Sequence, residues 1–404
     1  MSLIKNFKVF SILFVTAGML MLTGCKKDNE KAPQITRLRA ITPAPNDSVL
    51  TKAGPGQTIV IQGQYLGTAK EIYFNGYPAP FNAALFSDQN LTVTIPADMP
   101  FASLDTSKLN TVRVVTAFGE VTYKFPIVPP PPVITSMSNE MAVAGDHVTI
   151  NGNNFFFVDK VIFPGNIQVS SGLTANSSGT TLDLTVPPGI TQGGTIQVVN
   201  RYGIGTSLLL FNDATTGVLC NFDNVNTLNN WAGATISNDA VAFPSNRGNY
   251  ARLTYSNIIA GDWVWYCCGR SLNDEVSLPW VPVANLGDPA ANWALKFEIN
   301  TKVPWKNGTI LLDKDYGWNY QGRFEPWNTG GTPTDYKSDG WKTIVVPLSE
   351  FKQGNGTTTP APNLTALLGA SGKGGFNLYV INAGTTTVAS FDVAFDNFRV
   401  ARIK

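Results

Sequence analysis

Along most of the chain, apolar and polar residues alternate with a period of two. Thr58-Ile59-Val60-Ile61-Gln62, Leu182-Asp183-Leu184-Thr185-Val186 and Trp293-Ala294-Leu295-Lys296-Phe297-Glu298-Ile299 are examples. Successive side chains of a strand point to opposite faces, so each run predicts a strand with one buried face. In the last run Trp293 shares its face with Leu295, Phe297 and Ile299 and is expected in a core. Amphipathic runs at helical spacing are hard to find. Turn formers, 37 Gly and 26 Pro, punctuate the alternation. Many short strands with frequent turns predict an all-β chain of sandwiches.

The strand pattern repeats. Gly56 to Leu66 reads G-Q-T-I-V-I-Q-G-Q-Y-L, and Gly145 to Phe155 reads G-D-H-V-T-I-N-G-N-N-F. Leu91 to Pro96 matches Leu182 to Pro187, and Val112 to Gly119 matches Ile196 to Gly203. Both copies resemble the IPT/TIG immunoglobulin-like domain, whose shared marks are the glycine closing the Ile-x-Ile-x-Gly strand and the glycine after the last one. The resemblance implies two small sandwiches, over 33–128 and 133–213. Between them Pro129 to Pro132 form a tetraproline run, expected as a semi-rigid polyproline spacer that holds the domains apart.

From residue 214 the composition changes. All nine tryptophans lie beyond this point. The segment 214–404 opens on a strand ending Asn221-Phe222-Asp223 and closes on Asp396-Asn397-Phe398-Arg399-Val400. These strands resemble those of jelly-roll carbohydrate-binding modules, which implies one larger β-sandwich.

The N-terminus is expected to be a lipoprotein signal peptide over 1–24. Lys5 and Lys8 precede the uncharged run Val9 to Leu22, which is too short to span a bilayer. Leu22-Thr23-Gly24-Cys25 resembles the bacterial lipobox, which implies lipid on Cys25 and a tether over 25–32. Lys26 to Glu30 loosely resembles the surface-export signal of Bacteroidetes lipoproteins, so the outer face of the outer membrane is expected. A net charge of +1 argues against nucleic acid as a partner. The one histidine, His147, leaves no multi-histidine metal site, and no cofactor is expected. Cys220 could bridge Cys267 or Cys268, leaving one thiol spare. A calcium ion near Asp223 and Asp396 is conceivable, but acids at solvated strand ends are the simpler expectation.

Sugars present apolar C–H faces rimmed by hydroxyls, which flat rings and amide, carboxylate or guanidinium groups can match. Two stretches carry that mixture. Asp262 to Tyr266 contains Trp263 and Trp265, which share a face on a strand and make either a platform or a core patch. Asp313 to Trp327 contains Tyr316, Trp318, Tyr320, Arg323 and Trp327 among many polar neighbours, too many for a core strand. These seven residues are the candidate glycan contacts. Trp341 is expected to be structural, and Trp231 could be either.

Gly322 to Trp327 and Gly340 to Phe351 resemble the surface glycan-binding proteins of Bacteroidetes polysaccharide-utilisation loci, in particular those whose C-terminal domain binds xyloglucan. The layout of lipidated cysteine, stacked immunoglobulin-like domains and distal sandwich is similar too. The resemblance implies a non-catalytic capture protein for a neutral polysaccharide, working beside an outer-membrane transporter. The rivals are a glycoside hydrolase using Asp313, Asp315 or Glu325, and an adhesive protein. The Glu-x-Asp-x-x-Glu strand of jelly-roll glucanases is absent from the sequence.

Overall fold

A computed structural model describes residues 31–43, 45–226, 234–266 and 269–404. Cys25 and its flanks, Trp231, Cys267 and Cys268 lie outside the described residues. The chain forms two compact units, Met1–Pro129 and Pro130–Lys404. The named strands pair antiparallel throughout, and the all-β expectation is borne out.

The first unit is a small sandwich. One sheet holds β1 (Gln34–Ala40), β2 (Thr58–Gln64) and β4 (Asn90–Thr94); the other holds β3 (Ala69–Phe74), β5 (Thr111–Thr116) and β6 (Gly119–Lys124). Val112 and Val114 of β5 are fully buried, and Arg113 between them is partly exposed.

The second unit begins with the other copy. Here β7 (Val133–Met137), β8 (His147–Asn153) and β10 (Thr181–Thr185) face β9 (Val158–Phe163), β11 (Gly194–Asn200) and β12 (Gly203–Phe211). Both copies carry the same bulge, between Ile35 and Arg37 and between Ile134 and Ser136. It brings a carbonyl onto the repeat's glycine. A Cβ would lie 1.8 Å from Gln34 O at Gly63 and 1.9 Å from Val133 O at Gly152. Glycine is therefore required at both positions, which is why the repeat shows it.

The C-terminal sandwich is larger. Its first sheet runs β14 (Tyr250–Ile258), β21 (Val388–Arg402), β16 (Trp293–Thr301), β19 (Lys342–Pro347), with β13 (Val218–Cys220) also paired to β21. Its second sheet runs β15 (Ser271–Pro279), β20 (Lys373–Ile381), β17 (Thr309–Lys314), β18 (Gly322–Phe324). Trp293, Leu295, Phe297 and Ile299 of β16 join Ile310, Leu312, Phe376, Leu378 and Phe398 in the core between the sheets. Trp341 packs in a separate cluster with Phe243 and Tyr250.

No break in packing follows residue 213. The polar face of β16, which alternation alone would put in water, is buried against the second immunoglobulin-like domain. Lys296 Nζ lies 2.6 Å from Glu140 Oε1, and Arg399 Nη2 lies 2.9 Å from Glu140 Oε2. Arg399 also pairs with Glu298 at 2.8 Å. These four side chains are 2–4% exposed and their charges cancel. Burial opposes the charge on Arg399, but the Glu298 and Glu140 carboxylates outweigh it and hold the guanidinium above its ordinary range. The backbone N–H of Glu140 donates to Thr343 Oγ1 at 2.7 Å, and the Thr343 N–H donates to Ser138 O at 2.9 Å.

Cys220 is a cysteine whose pairing the sequence leaves open. Its thiol is free and buried, and it donates to Asn226 O at 3.2 Å. Burial pushes the thiol far up, as for a core group, and the candidate partners Cys267 and Cys268 lie outside the described residues. Asp396 is likewise no solvated strand end. It is 2% exposed, and burial beside the Glu298 charge raises its carboxyl well above the usual range.

Candidate functional site

The site lies on the outer face of the sheet β15–β20–β17–β18. Alternation sends Phe376, Leu378 and Val380 of β20 into the core and leaves Asn377 and Tyr379 on the other face. Likewise Ile310 and Leu312 of β17 face the core, and Leu311 and Asp313 do not. Leu311, Tyr379 and Ile381 form a second small apolar cluster, with Trp265 packed on it. Ser271, Asn273, Asp313, Gln321, Asn377 and Tyr379 are all 0–1% exposed, although they belong to the outer face. Loops 259–266 and 315–320 carry the rings that cover Tyr379.

The first loop is pinned at its base. The Asn382 amide donates to Ile258 O, Ile259 O and Thr386 O at 2.9–3.1 Å. Arg270 Nη1 reaches Asp262 Oδ2 at 2.8 Å and Val264 O at 3.0 Å. Burial would raise the Asp262 carboxyl, but the Val264 N–H and Arg270 hold it below its ordinary range. The second loop turns through positive φ at Asp315, Tyr316 and Trp318. Its rings meet those of the first loop. Trp265 lies 5.3 Å from Trp318, 6.2 Å from Tyr316, 5.9 Å from Tyr266 and 5.2 Å from Tyr379, between centroids. Trp318 is itself 5.4 Å from Tyr379.

The structure thus brings together three of the seven predicted contacts: Trp265, Tyr316 and Trp318. Trp263 lies in the same loop, half exposed, and its carbonyl accepts the Trp265 N–H at 2.9 Å. Asp262 to Tyr266 is a loop rather than the expected strand, because the Asp262 carboxylate turns the chain by capping the Val264 N–H. The other three residues sit elsewhere. Tyr320 packs on the core: the left-handed residues before it break the extended course that would have aligned it with Trp318. Trp327 also packs on the core and donates from Nε1 to Gly308 O at 2.7 Å. Arg323 is held by Glu325, by Thr309 Oγ1 at 3.1 Å and by Asn355 O at 3.2 Å.

Sequence reading missed Tyr379 and Gln321. The Gln321 amide donates to the Tyr379 hydroxyl, and its Oε1 has no partner among the described residues. Burial and the neighbouring Asp313 charge raise the Tyr379 hydroxyl above its ordinary range. Period-two alternation from Phe376 to Val380 did carry a signal for Tyr379, since its apolar neighbours claim the core side. On a strand Tyr266 would stand opposite Trp265; in this loop it is 53% exposed and meets Trp265 edge to face.

Chemically, the cluster offers flat apolar faces at the surface over a polar layer beneath. Trp318 is 47% exposed and Trp263 46%. Covering the open half of one indole, roughly 100 Å², would stabilise a complex by about 2–3 kcal/mol. No group of three or more His, Cys, Asp or Glu is placed to hold a metal ion among the described residues.

The fold and site define a carbohydrate-binding type of β-sandwich joined to immunoglobulin-like domains. Residues 211–402 match the model of the family described as the surface glycan-binding protein B xyloglucan binding domain. An IPT/TIG domain-containing protein of Bacteroides ovatus is 26% identical over 204 residues, 47% of this chain and 42% of the relative. The chain thus spans less than half the length of that curated relative. The crystal structure of the surface glycan-binding protein PbSGBP-B from Prevotella bryantii is similar with a TM-score of 0.72 and 21% identity, covering 92% of this chain and 99% of that one. SGBP-B from a complex xyloglucan utilization locus in Bacteroides uniformis is similar with a TM-score of 0.52 and 17% identity over the same shares. At these identities the two structures show the fold. With the family match, the resemblance to surface glycan-binding proteins read from the sequence is borne out.

Proposed function

We propose that the chain binds a neutral polysaccharide, xyloglucan or a related β-glucan, through the ring cluster of its C-terminal domain, and holds it without cleaving it. The observation that carries this reading is the pairing of Trp265 with Trp318 at 5.3 Å, above Tyr379, with half of the Trp318 indole open. The rings supply stacking faces of the kind a sugar's C–H surface needs. The name of the matched family and the source locus of the Bacteroides uniformis protein support xyloglucan as the first ligand to test.

The carboxylates that a hydrolase would use are engaged. Asp313 is 1% exposed and bonded to backbone N–H groups, Asp315 accepts the Gly375 N–H, and Glu325 is paired with Arg323. These engagements support binding over general acid–base chemistry. In this reading the Cys25 lipid holds the protein on the outer face of the outer membrane. The glycan is captured there for an outer-membrane transporter. The sequence around Cys25 is what supports that placement.

Native affinity electrophoresis of the full chain in xyloglucan gels tests the reading. Retention by the wild type and a loss of about tenfold or more in Trp318→Ala are expected, the loss corresponding to about 1.4 kcal/mol or more. Equal mobility of the two proteins in xyloglucan and in mixed-linkage glucan would refute the site. Sustained release of reducing ends from either glucan would refute the non-catalytic reading.

A further inference from the structure

We infer that Asp313 is the positioning residue of the ring cluster: its buried carboxylate folds the loop from Lys314 to Trp318 and thereby sets where the Trp318 indole stands. The inference rests on the glycan-binding reading and deepens it.

Asp313 lies near the end of β17, on the outer face of the sheet. Its Oδ1 accepts the Lys314 N–H at 2.8 Å and its Oδ2 accepts the Trp318 N–H at 3.2 Å. One carboxylate therefore spans the first and last N–H of the loop. Between them the chain reverses, with the Gly317 N–H donating to Lys314 O at 2.8 Å. Asp315, Tyr316 and Trp318 stand at φ of 54°, 53° and 52°. Left-handed backbone crowds the Cβ of any L-residue and is uncommon for aromatic ones, so this turn needs outside support to persist. Two further bonds supply part of it. Asp315 Oδ1 accepts the Gly375 N–H at 2.5 Å, and the Asn377 amide oxygen, oriented to suit its neighbours, accepts the Tyr316 N–H at 3.0 Å.

Only an ionised carboxylate offers two oxygens that both accept and neither donates. An apolar residue would leave two loop N–H groups unpaired, and an asparagine could satisfy only one. Burial opposes the charge and pushes the Asp313 carboxyl up to about 6, against the pull of the Trp318 and Lys314 N–H groups. The fold keeps a carboxylate where burial disfavours its ionised form. At 1% exposure Asp313 cannot touch a glycan itself, so any effect on binding must pass through the groups it holds, the loop N–H groups and the Gln321 amide.

A double-mutant cycle on the full chain separates this role from general stabilisation. Dissociation constants for xyloglucan, taken from affinity electrophoresis, are compared for wild type, Asp313→Ala, Trp318→Ala and the double variant. Asp313→Ala is expected to weaken binding at least fivefold with every ring intact. The double variant is expected to bind no worse than Trp318→Ala alone, because Asp313 acts only through that indole. Asp313→Asn, with one acceptor, should fall between wild type and Asp313→Ala. Wild-type affinity in Asp313→Ala, or losses that multiply in the double variant, would overturn the inference while leaving the binding site standing. If Trp318→Ala alone changes nothing, the binding reading fails, and the inference is decided by a measurement that needs no glycan. Backbone amide exchange over residues 314–318 should then quicken at least tenfold in Asp313→Ala while β16 and β20 stay protected. Unchanged exchange in that loop would overturn it.

Discussion

Glu140→Ala should destabilise the second unit more than any surface substitution, although Glu140 is outside the C-terminal sandwich. Its two carboxylate oxygens are shared between Lys296 at 2.6 Å and Arg399 at 2.9 Å, and all of these side chains are at most 4% exposed. With Glu298 the four groups sum to zero charge. Alanine at 140 leaves an excess of one buried positive charge and a void in the contact between the two domains. Removing one partner from a buried pair costs about 3–5 kcal/mol, because the remaining ion is neither solvated nor compensated. For a unit of this size about 1 kcal/mol moves the melting temperature by roughly 2–4 °C, so a fall of roughly 6–20 °C is expected by calorimetry at pH 7. Because the charges are out of solvent, the fall should be similar at low and high salt. Glu140→Ala with Lys296→Met restores neutrality and should recover much of the loss. A fall below about 2 °C in the single variant would show that this ionic contact does not join the domains. So would a double variant no better than the single one.

Trp327→Ala should lower the melting temperature without releasing the protein from xyloglucan gels, because Trp327 packs on the core and its Nε1–H is spent on Gly308 O; selective loss of retention would instead return Trp327 to the binding surface. Asp313→Asn makes the cost of the buried carboxylate visible by chemical denaturation across pH. The native protein keeps a proton on Asp313 up to about pH 6, and the unfolded chain releases it near pH 4. Between these values the native state binds more protons, so the Asp313 contribution to wild-type stability falls as pH rises, by about 3 kcal/mol in all. The non-titrating variant should gain on the wild type by that amount between pH 4 and pH 7; a pH-independent difference would refute it.

Period-two alternation carries the strands of both immunoglobulin-like domains and the core face of β16, because a strand's side chains must choose one of two sides. The glycines of the repeat are legible for a local reason as well: Gly63 and Gly152 sit opposite a bulge whose carbonyl excludes a Cβ. What alternation leaves open is what covers the other side. Lys296 and Glu298 read as solvent-facing, yet they are buried because a domain earlier in the chain brings Glu140, 156 residues before Lys296, to Lys296 and to Arg399, which pairs with Glu298.

The candidate site divides in the same way. Composition alone marked the stretches that hold Trp265 and Trp318, since flat rings among polar neighbours do not make a core strand. Composition could not say which rings meet. Tyr320 and Trp327 were drawn into the core by a turn and by a hydrogen bond to Gly308, while Tyr379, more than fifty residues away, supplied the floor. Local order in the sequence determines strand, turn and bulge because those depend on neighbours along the chain. Which aromatic faces stay open to a ligand depends on contacts between distant segments, and only the tertiary structure decided that.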